Sequence, residues 1–199
     1  QLREEIKNGS LKIKDFYQYQ LRLIYRLLFL MVTEERNLIF KRESDSSKRR
    51  IYYNHYSIQR LREMSGVAYL AEQKHSDLWI GLKHTFELFE KDKYGKRLGI
   101  ESPGGELFSS RSIGILNQCS LQNRVLLNCI RNLNFFTNKT TNQVMRVKYE
   151  HLHVEEFGSV YEGLLEYDPA INTIGDRLEF GFVKGSERSS SGTHYTPDE

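Results

Sequence analysis

The chain has 199 residues, 39% of them hydrophobic and 28% charged, the balance of an ordinary globular protein with enough apolar matter for one domain and its core. Its longest apolar run, Leu27 to Val32, falls far short of the ~20 residues a membrane-spanning helix needs, so no membrane partner is expected. A net charge of +3 does not by itself point to nucleic acid, because affinity for phosphate follows local clusters of Lys and Arg.

From Ile13 to about Leu38, apolar residues recur at a spacing of three and four with no Gly or Pro, which predicts an amphipathic helix. Its apolar face widens around Leu27, Leu28 and Leu30, the pattern of a helix surrounded by others. Lys41 to Arg50 is polar and serine-rich and reads as a loop. Residues 57 to 64 and 77 to 91 predict two further helices; the second carries Leu78, Trp79, Leu82, Phe86 and Phe89 on one face, and Trp79, Phe86 and Phe89 are expected to pack against the helix from Phe16 to Leu30.

Residues 93 to 106 hold Gly95, Gly99, Gly104, Gly105 and Pro103 and are expected to be irregular. Leu121 to Leu133 reads as a helix, Gln143 to Tyr149 alternates like a short strand, and Val154 to Tyr167 reads as a helix ended by Asp168-Pro169. Ile171 to Val183, broken by Gly175, predicts a β-hairpin before a Ser-rich linker. The expected fold is therefore mainly α: a helical domain over residues 1–168, then a short β-hairpin and linker over 169–199. Cys119 and Cys129, the two cysteines, fall on what reads as one helical segment, which favours buried thiols in a reducing cytoplasm over a disulfide.

Three clusters carry candidate chemistry. Lys48-Arg49-Arg50 is followed by Tyr52, Tyr53, Tyr56, Arg60 and Arg62, an interleaving of cations and rings that suits phosphate contact and base stacking; Lys48, Arg49, Arg50, Arg60 and Arg62 are the candidate DNA contacts. Glu5-Ile6-Lys7 has the local spacing of a nuclease Glu-x-Lys, but no upstream aspartate accompanies it, and a solvated helix start is the expectation. His151 and His153 lack a third ligand, and are expected to face solvent or cap a helix, with no metal site.

The last residues run Ser189-Ser190-Ser191-Gly192-Thr193-His194-Tyr195-Thr196-Pro197. This segment resembles the start of the cofactor site in adenine-specific DNA methyltransferases of type IIG restriction-modification systems and their phage-defence relatives. Upstream stretches resemble landmarks of the same proteins in the expected order: Asp15-Phe16-Tyr17, Tyr56 to Arg62, Asp77 to Leu82, Gly104 to Phe108 and, most specifically, Glu156 to Tyr167. The resemblance implies that Gly192, Thr193, Tyr195, Thr196 and Pro197 border S-adenosylmethionine, and that the parent protein methylates the exocyclic amino group of adenine in specific DNA. It also implies partners in DNA and in the rest of the same polypeptide, a cytoplasmic location, and in some relatives an N-terminal endonuclease.

Neither a glycine-rich cofactor loop of the type Asp-x-x-x-Gly-x-Gly nor an Asn-Pro-Pro-Tyr adenine-binding loop occurs, and the one Asp-Pro, Asp168-Pro169, continues with Ala170. The fragment is therefore expected to hold no catalytic residue and to stop before the α/β methyltransferase core. Its first residue, Gln1, agrees with a piece cut from a longer chain. Two alternatives stand beside this expectation: an independent helical module that binds nucleic acid or assembles with partners, and a self-contained metal nuclease.

Overall fold

The computed structural model describes residues 2–67, 74–174 and 177–184. A short helix α1 (Leu2–Lys7) leads into α2 (Ile13–Glu35), which forms the axis of the molecule. Leu21, Leu27, Leu28, Leu30 and Met31 on α2 are all buried, as a helix inside a bundle requires. The helix stops three residues short of Leu38 because Asn37 adopts a left-handed backbone, φ 55°, and Leu38 donates its N–H back to Thr33 O at 2.8 Å.

The polar stretch after it is only partly a loop. Asp45 accepts from the backbone N–H of Ser47 at 2.8 Å and starts α3 (Ser46–His55), a helix whose one fully buried side chain is Tyr52. A helix that buries so little shows almost no apolar period, so its cap is the stronger signal. Next come α4 (Ile58–Ser65) and α5 (Asp77–Glu90). On α5, Trp79, Phe86 and Phe89 are buried in one core with Leu27, Leu28, Leu30 and Met31, as their spacing predicts.

The glycine-containing stretch expected to be irregular opens with a helix, α6 (Asp92–Leu98). Gly95 lies inside it because its backbone is pressed against α5: a Cβ there would fall 2.4 Å from the carbonyl oxygen of Leu88. Gly99 then ends the helix at φ 76°, a conformation that side-chain-bearing residues avoid. The loop that follows is pinned from inside. The guanidinium of Arg26, itself buried on α2, donates to the carbonyls of Leu107 at 2.6 Å and Ser109 at 2.5 Å and to the hydroxyl of Ser112 at 2.8 Å, above the ring of Phe86. Burial lowers the pKa of Arg26 to about 10.

A 3-10 turn (Gly114–Asn117) precedes α7 (Asn123–Asn134). Cys119 is half-buried ahead of α7 while Cys129 is exposed on it, so the two do not share a helix and neither is a fully buried thiol. From α7 the chain passes directly into β1 (Phe135–Thr137), which pairs antiparallel with β2 (Val144–Arg146). The last elements among the described residues are α8 (Val154–Leu165) and a longer hairpin of β3 (Tyr167–Ile174) and β4 (Arg177–Lys184). Asp168 and Pro169 do not end the helix from outside; they lie in β3, opposite Val183 and Phe182. A two-stranded ribbon consists only of edges, where a missing N–H is tolerated. Architecture is thus mainly α, with short antiparallel hairpins toward the C-terminus, and no helix among the described residues is long and apolar enough to cross a membrane.

Candidate functional site

The basic segment does not fold into one surface. Arg50 is exposed and Lys48 half-buried on α3. Arg49 turns back to hold the preceding loop, donating to the carbonyls of Lys41 and Arg42 with its guanidinium 5.7 Å from the centre of the Phe40 ring. Lys41, which would extend the cluster, is ion-paired with Glu101 at 2.6 Å. Arg60 is half-buried against Met64.

Arg62 corrects the expectation outright, because 1% of it is exposed. Its Nε donates to Asn134 Oδ1 at 2.8 Å, Nη2 to the carbonyl of Val147 at 2.9 Å, and Nη1 to Glu35, while the Tyr149 ring lies 5.0 Å away. Every face of the guanidinium is occupied by the protein, so no phosphate reaches it. The i, i+2 neighbour Arg60 shows why spacing misled: on a helix, two residues apart means different faces.

The end of α2 carries groups that the sequence did not single out. Glu34, Glu35 and Arg36 each tie down a different segment. Glu35 takes Arg62 and the N–H of Glu150 at 2.9 Å; Arg36 donates to the carbonyls of Glu150 and Leu152 at 3.0 and 2.9 Å. Glu34 is buried, and its carboxylate accepts from Tyr52 Oη at 2.7 Å and from the N–H groups of Ile58 and Gln59, both at 2.8 Å. Together with Ser57, whose hydroxyl accepts from Arg60 N at 3.2 Å, it closes the first turn of α4.

Burial pushes the Glu34 carboxyl up to about 7 against the opposing pull of those three donors, and pushes Tyr52 well above its ordinary value. A carboxyl raised in this way at the rim of a polar cleft, shared with Tyr53, Asn54 and Gln59, has the profile of an acid-base group. Its hydrogen bonds decide otherwise: both oxygens already serve the helix start and Tyr52, which is a structural role. One signal for it was legible, namely a carboxylate in helical register with Leu27, Leu30 and Met31 on α2.

A second concavity is apolar. A groove of ≈ 600 Å³ runs between α2, α7 and the β3–β4 hairpin, walled by Leu23, Ile24, Cys129, Leu133, Phe180 and Phe182. The hairpin is held there by Phe180 packed edge-on against Phe16 at 5.5 Å and by Phe182 against Tyr17 at 5.3 Å, while the Tyr17 hydroxyl donates to the carbonyl of Leu164 at the end of α8, just ahead of the hairpin. Its lining suits apolar contact more than bond making.

Elsewhere, Glu5 and Lys7 lie on α1, and His153 begins α8, with its N–H bonded to Glu156 at 2.8 Å. His151 is exposed beside Glu150. Among the described residues, no three His, Cys, Asp or Glu side chains gather as metal ligands. Gly192, Thr193, Tyr195, Thr196 and Pro197, the residues the resemblance assigns to S-adenosylmethionine, lie outside the described residues. No family model, curated protein or solved structure matches the chain.

Proposed function

We propose that this chain is the helical domain preceding the methylase core of a restriction-modification or phage-defence enzyme, the parent of which transfers a methyl group from S-adenosylmethionine to adenine in specific DNA. The observation that carries the reading is the sequence order: the landmarks that resemble such methylases run through the helical part, and the Gly-Thr-His-Tyr-Thr-Pro segment follows the hairpin. Supporting it, β4 reaches Lys184 as part of a hairpin docked on α2 through Phe180 and Phe182. A domain joined there would be connected to a firm body, with the apolar groove beside the junction as its contact face. In this role the helical domain braces the cofactor domain, and a second module could be joined at its other end.

The test is the full-length gene product, assayed for transfer of a labelled methyl group to adenine and for binding of S-adenosylmethionine by calorimetry. Both activities are expected, along with cytoplasmic fractionation of the enzyme. A full-length protein that neither binds the cofactor nor methylates DNA overturns the reading. The packing of the hairpin on its own helices favours a second one, an independent helical nucleic-acid-binding module without catalysis, and that result would select it.

A further inference from the structure

Charge is distributed unevenly along this chain in a way the total conceals. Between Leu107 and Tyr149 stand Arg111, Arg124, Arg131, Lys139, Arg146 and Lys148, six of the 29 basic residues, and none of the 26 acidic ones. All six are exposed, and among the described residues none of them enters an ion pair with Asp or Glu. Four of them gather around the β1–β2 ribbon, which continues directly from α7.

The ribbon is an ordered arm. Phe135 pairs with Arg146, Phe136 with Met145 and Thr137 with Val144. Its tip is closed by Asn138, whose side-chain oxygen accepts from the N–H groups of Thr140 at 2.8 Å and Thr141 at 3.2 Å, and whose N–H reaches Gln143 O at 2.9 Å. Lys139 stands on that turn. Directly paired residues share a face of a ribbon, so Arg146 is beside Phe135, and the guanidinium of Arg131 lies 5.5 Å from the centre of the same ring. Val147 packs on the core, and its exposed neighbours Arg146 and Lys148 alternate away from it. On the other face Phe136 and Met145 are 47% and 43% exposed, and Val144, on the face of Arg146, is 66% exposed.

We infer that the β1–β2 ribbon is a DNA-contacting arm, in which Arg131, Lys139, Arg146 and Lys148 hold the phosphate backbone of a duplex. Cations without a carboxylate partner on a fixed scaffold, Arg131 steadied by one bond to the Ser65 carbonyl at 3.3 Å, gain affinity by releasing the counterions of the duplex, and a two-stranded ribbon is one of the elements that a major groove roughly 12 Å wide admits. Arg131 and Arg146 beside one ring place two guanidiniums at one end of the ribbon, while Lys139 marks the other. This arm takes the place of the α3–α4 segment, whose cations the fold largely consumes. It stands independently of the methylase reading, since it requires only DNA and this chain.

The experiment is fluorescence anisotropy of a labelled 20-base-pair duplex titrated with the 199-residue chain from 50 to 200 mM salt. Four phosphate contacts on duplex DNA give a slope of log affinity against log salt near −3.6, a loss of about 150-fold across that range, from about 0.9 per phosphate. Replacing Lys139, Arg146 and Lys148 together by Ala should leave a slope near −0.9 and a loss of about 4-fold, with the circular dichroism spectrum unchanged, because all three are exposed. Lys48→Ala with Arg50→Ala should keep the wild-type slope. An unchanged slope in the triple variant, no binding by the wild type at 50 mM salt, tighter binding to single-stranded RNA, or binding to phosphatidylserine vesicles in preference to the duplex would each overturn the assignment. Methylation by the full-length protein is read separately, so neither result prejudges the other.

Discussion

Arg62 and Asn134 hold each other reciprocally: Nε of Arg62 donates to the Asn134 side-chain oxygen at 2.8 Å, and the Asn134 amide donates back to the Arg62 carbonyl at 3.3 Å. The pair joins α4 to the last residue of α7 and so fixes where β1 begins. Glu35 and the carbonyl of Val147 complete the shell around the guanidinium. A buried arginine with this many acceptors is a clamp between segments, and removing it strands each of them.

Arg62→Ala should therefore destabilise the protein by about 3–5 kcal/mol, the cost of leaving buried polar and charged partners unpaired. Urea unfolding monitored by circular dichroism measures it. A loss below about 1 kcal/mol would mean that the side chain is not buried as described.

Trp79→Ala should cost about 3–5 kcal/mol, as expected for a truncated core tryptophan. The ring is 2% exposed and its Nε1 donates to the Cys119 carbonyl at 2.8 Å, so the mutation removes packing and frees a carbonyl together. Fluorescence of Trp79, the one tryptophan, offers a second readout. A blue-shifted emission in the native state is expected, and a solvent-like maximum would contradict burial.

Gly95→Ala places a methyl group 2.4 Å from Leu88 O and 2.9 Å from Ile100 O, both backbone atoms that cannot swing aside. Helix propensity alone would favour Ala by about 1 kcal/mol. Steric overlap should reverse that sign, giving a net loss of about 1–3 kcal/mol. Thermal unfolding decides between the two, since a raised melting temperature would show that α5 and α6 separate at little cost.

Glu34 predicts a pH dependence. With its carboxyl raised to about 7, the native state keeps a proton that the unfolded chain has released, so between the unfolded carboxyl value of about 4.3 and pH 7 the native form binds more protons. Stability contributed by this group is present in full below that window and declines as pH rises through it, then levels off. Glu34→Gln removes the slope. Unfolding midpoints across pH 4.5–7 in both proteins measure the difference, and parallel curves would refute it.

The isolated chain should not bind S-adenosylmethionine, because one short edge of a pocket cannot offset the cost of ordering the ligand. Calorimetric titration gives the answer, and a micromolar dissociation constant would defeat the claim.

Much of this molecule was legible in its residues. The periodicity over Ile13–Glu35 and Asp77–Glu90 specified the two helices that supply most of the core, because burial of one face imposes a 3.6-residue repeat on any sequence that accepts it. The alternation over residues 171–183 likewise marked the closing hairpin, although Tyr167 to Ala170 joined it against the signal of Pro169. Where little is buried the repeat fades, which is why α3 read as a loop, and where a glycine serves close packing, as Gly95 does, composition suggested irregularity inside a helix.

Which charges remain available to a partner was decided by tertiary structure alone. Arg60 and Arg62 look alike in the sequence, yet one is half-buried and the other sealed, because the second points at Asn134 and Val147 from segments more than seventy residues away. Glu34 became a cap for α4 only when the bundle brought Ile58 and Gln59 to it. Local spacing sets the face of a helix on which a side chain stands. What meets that face depends on contacts between distant segments, and these determined that Arg62 was consumed within the fold while Arg146 was left in solvent.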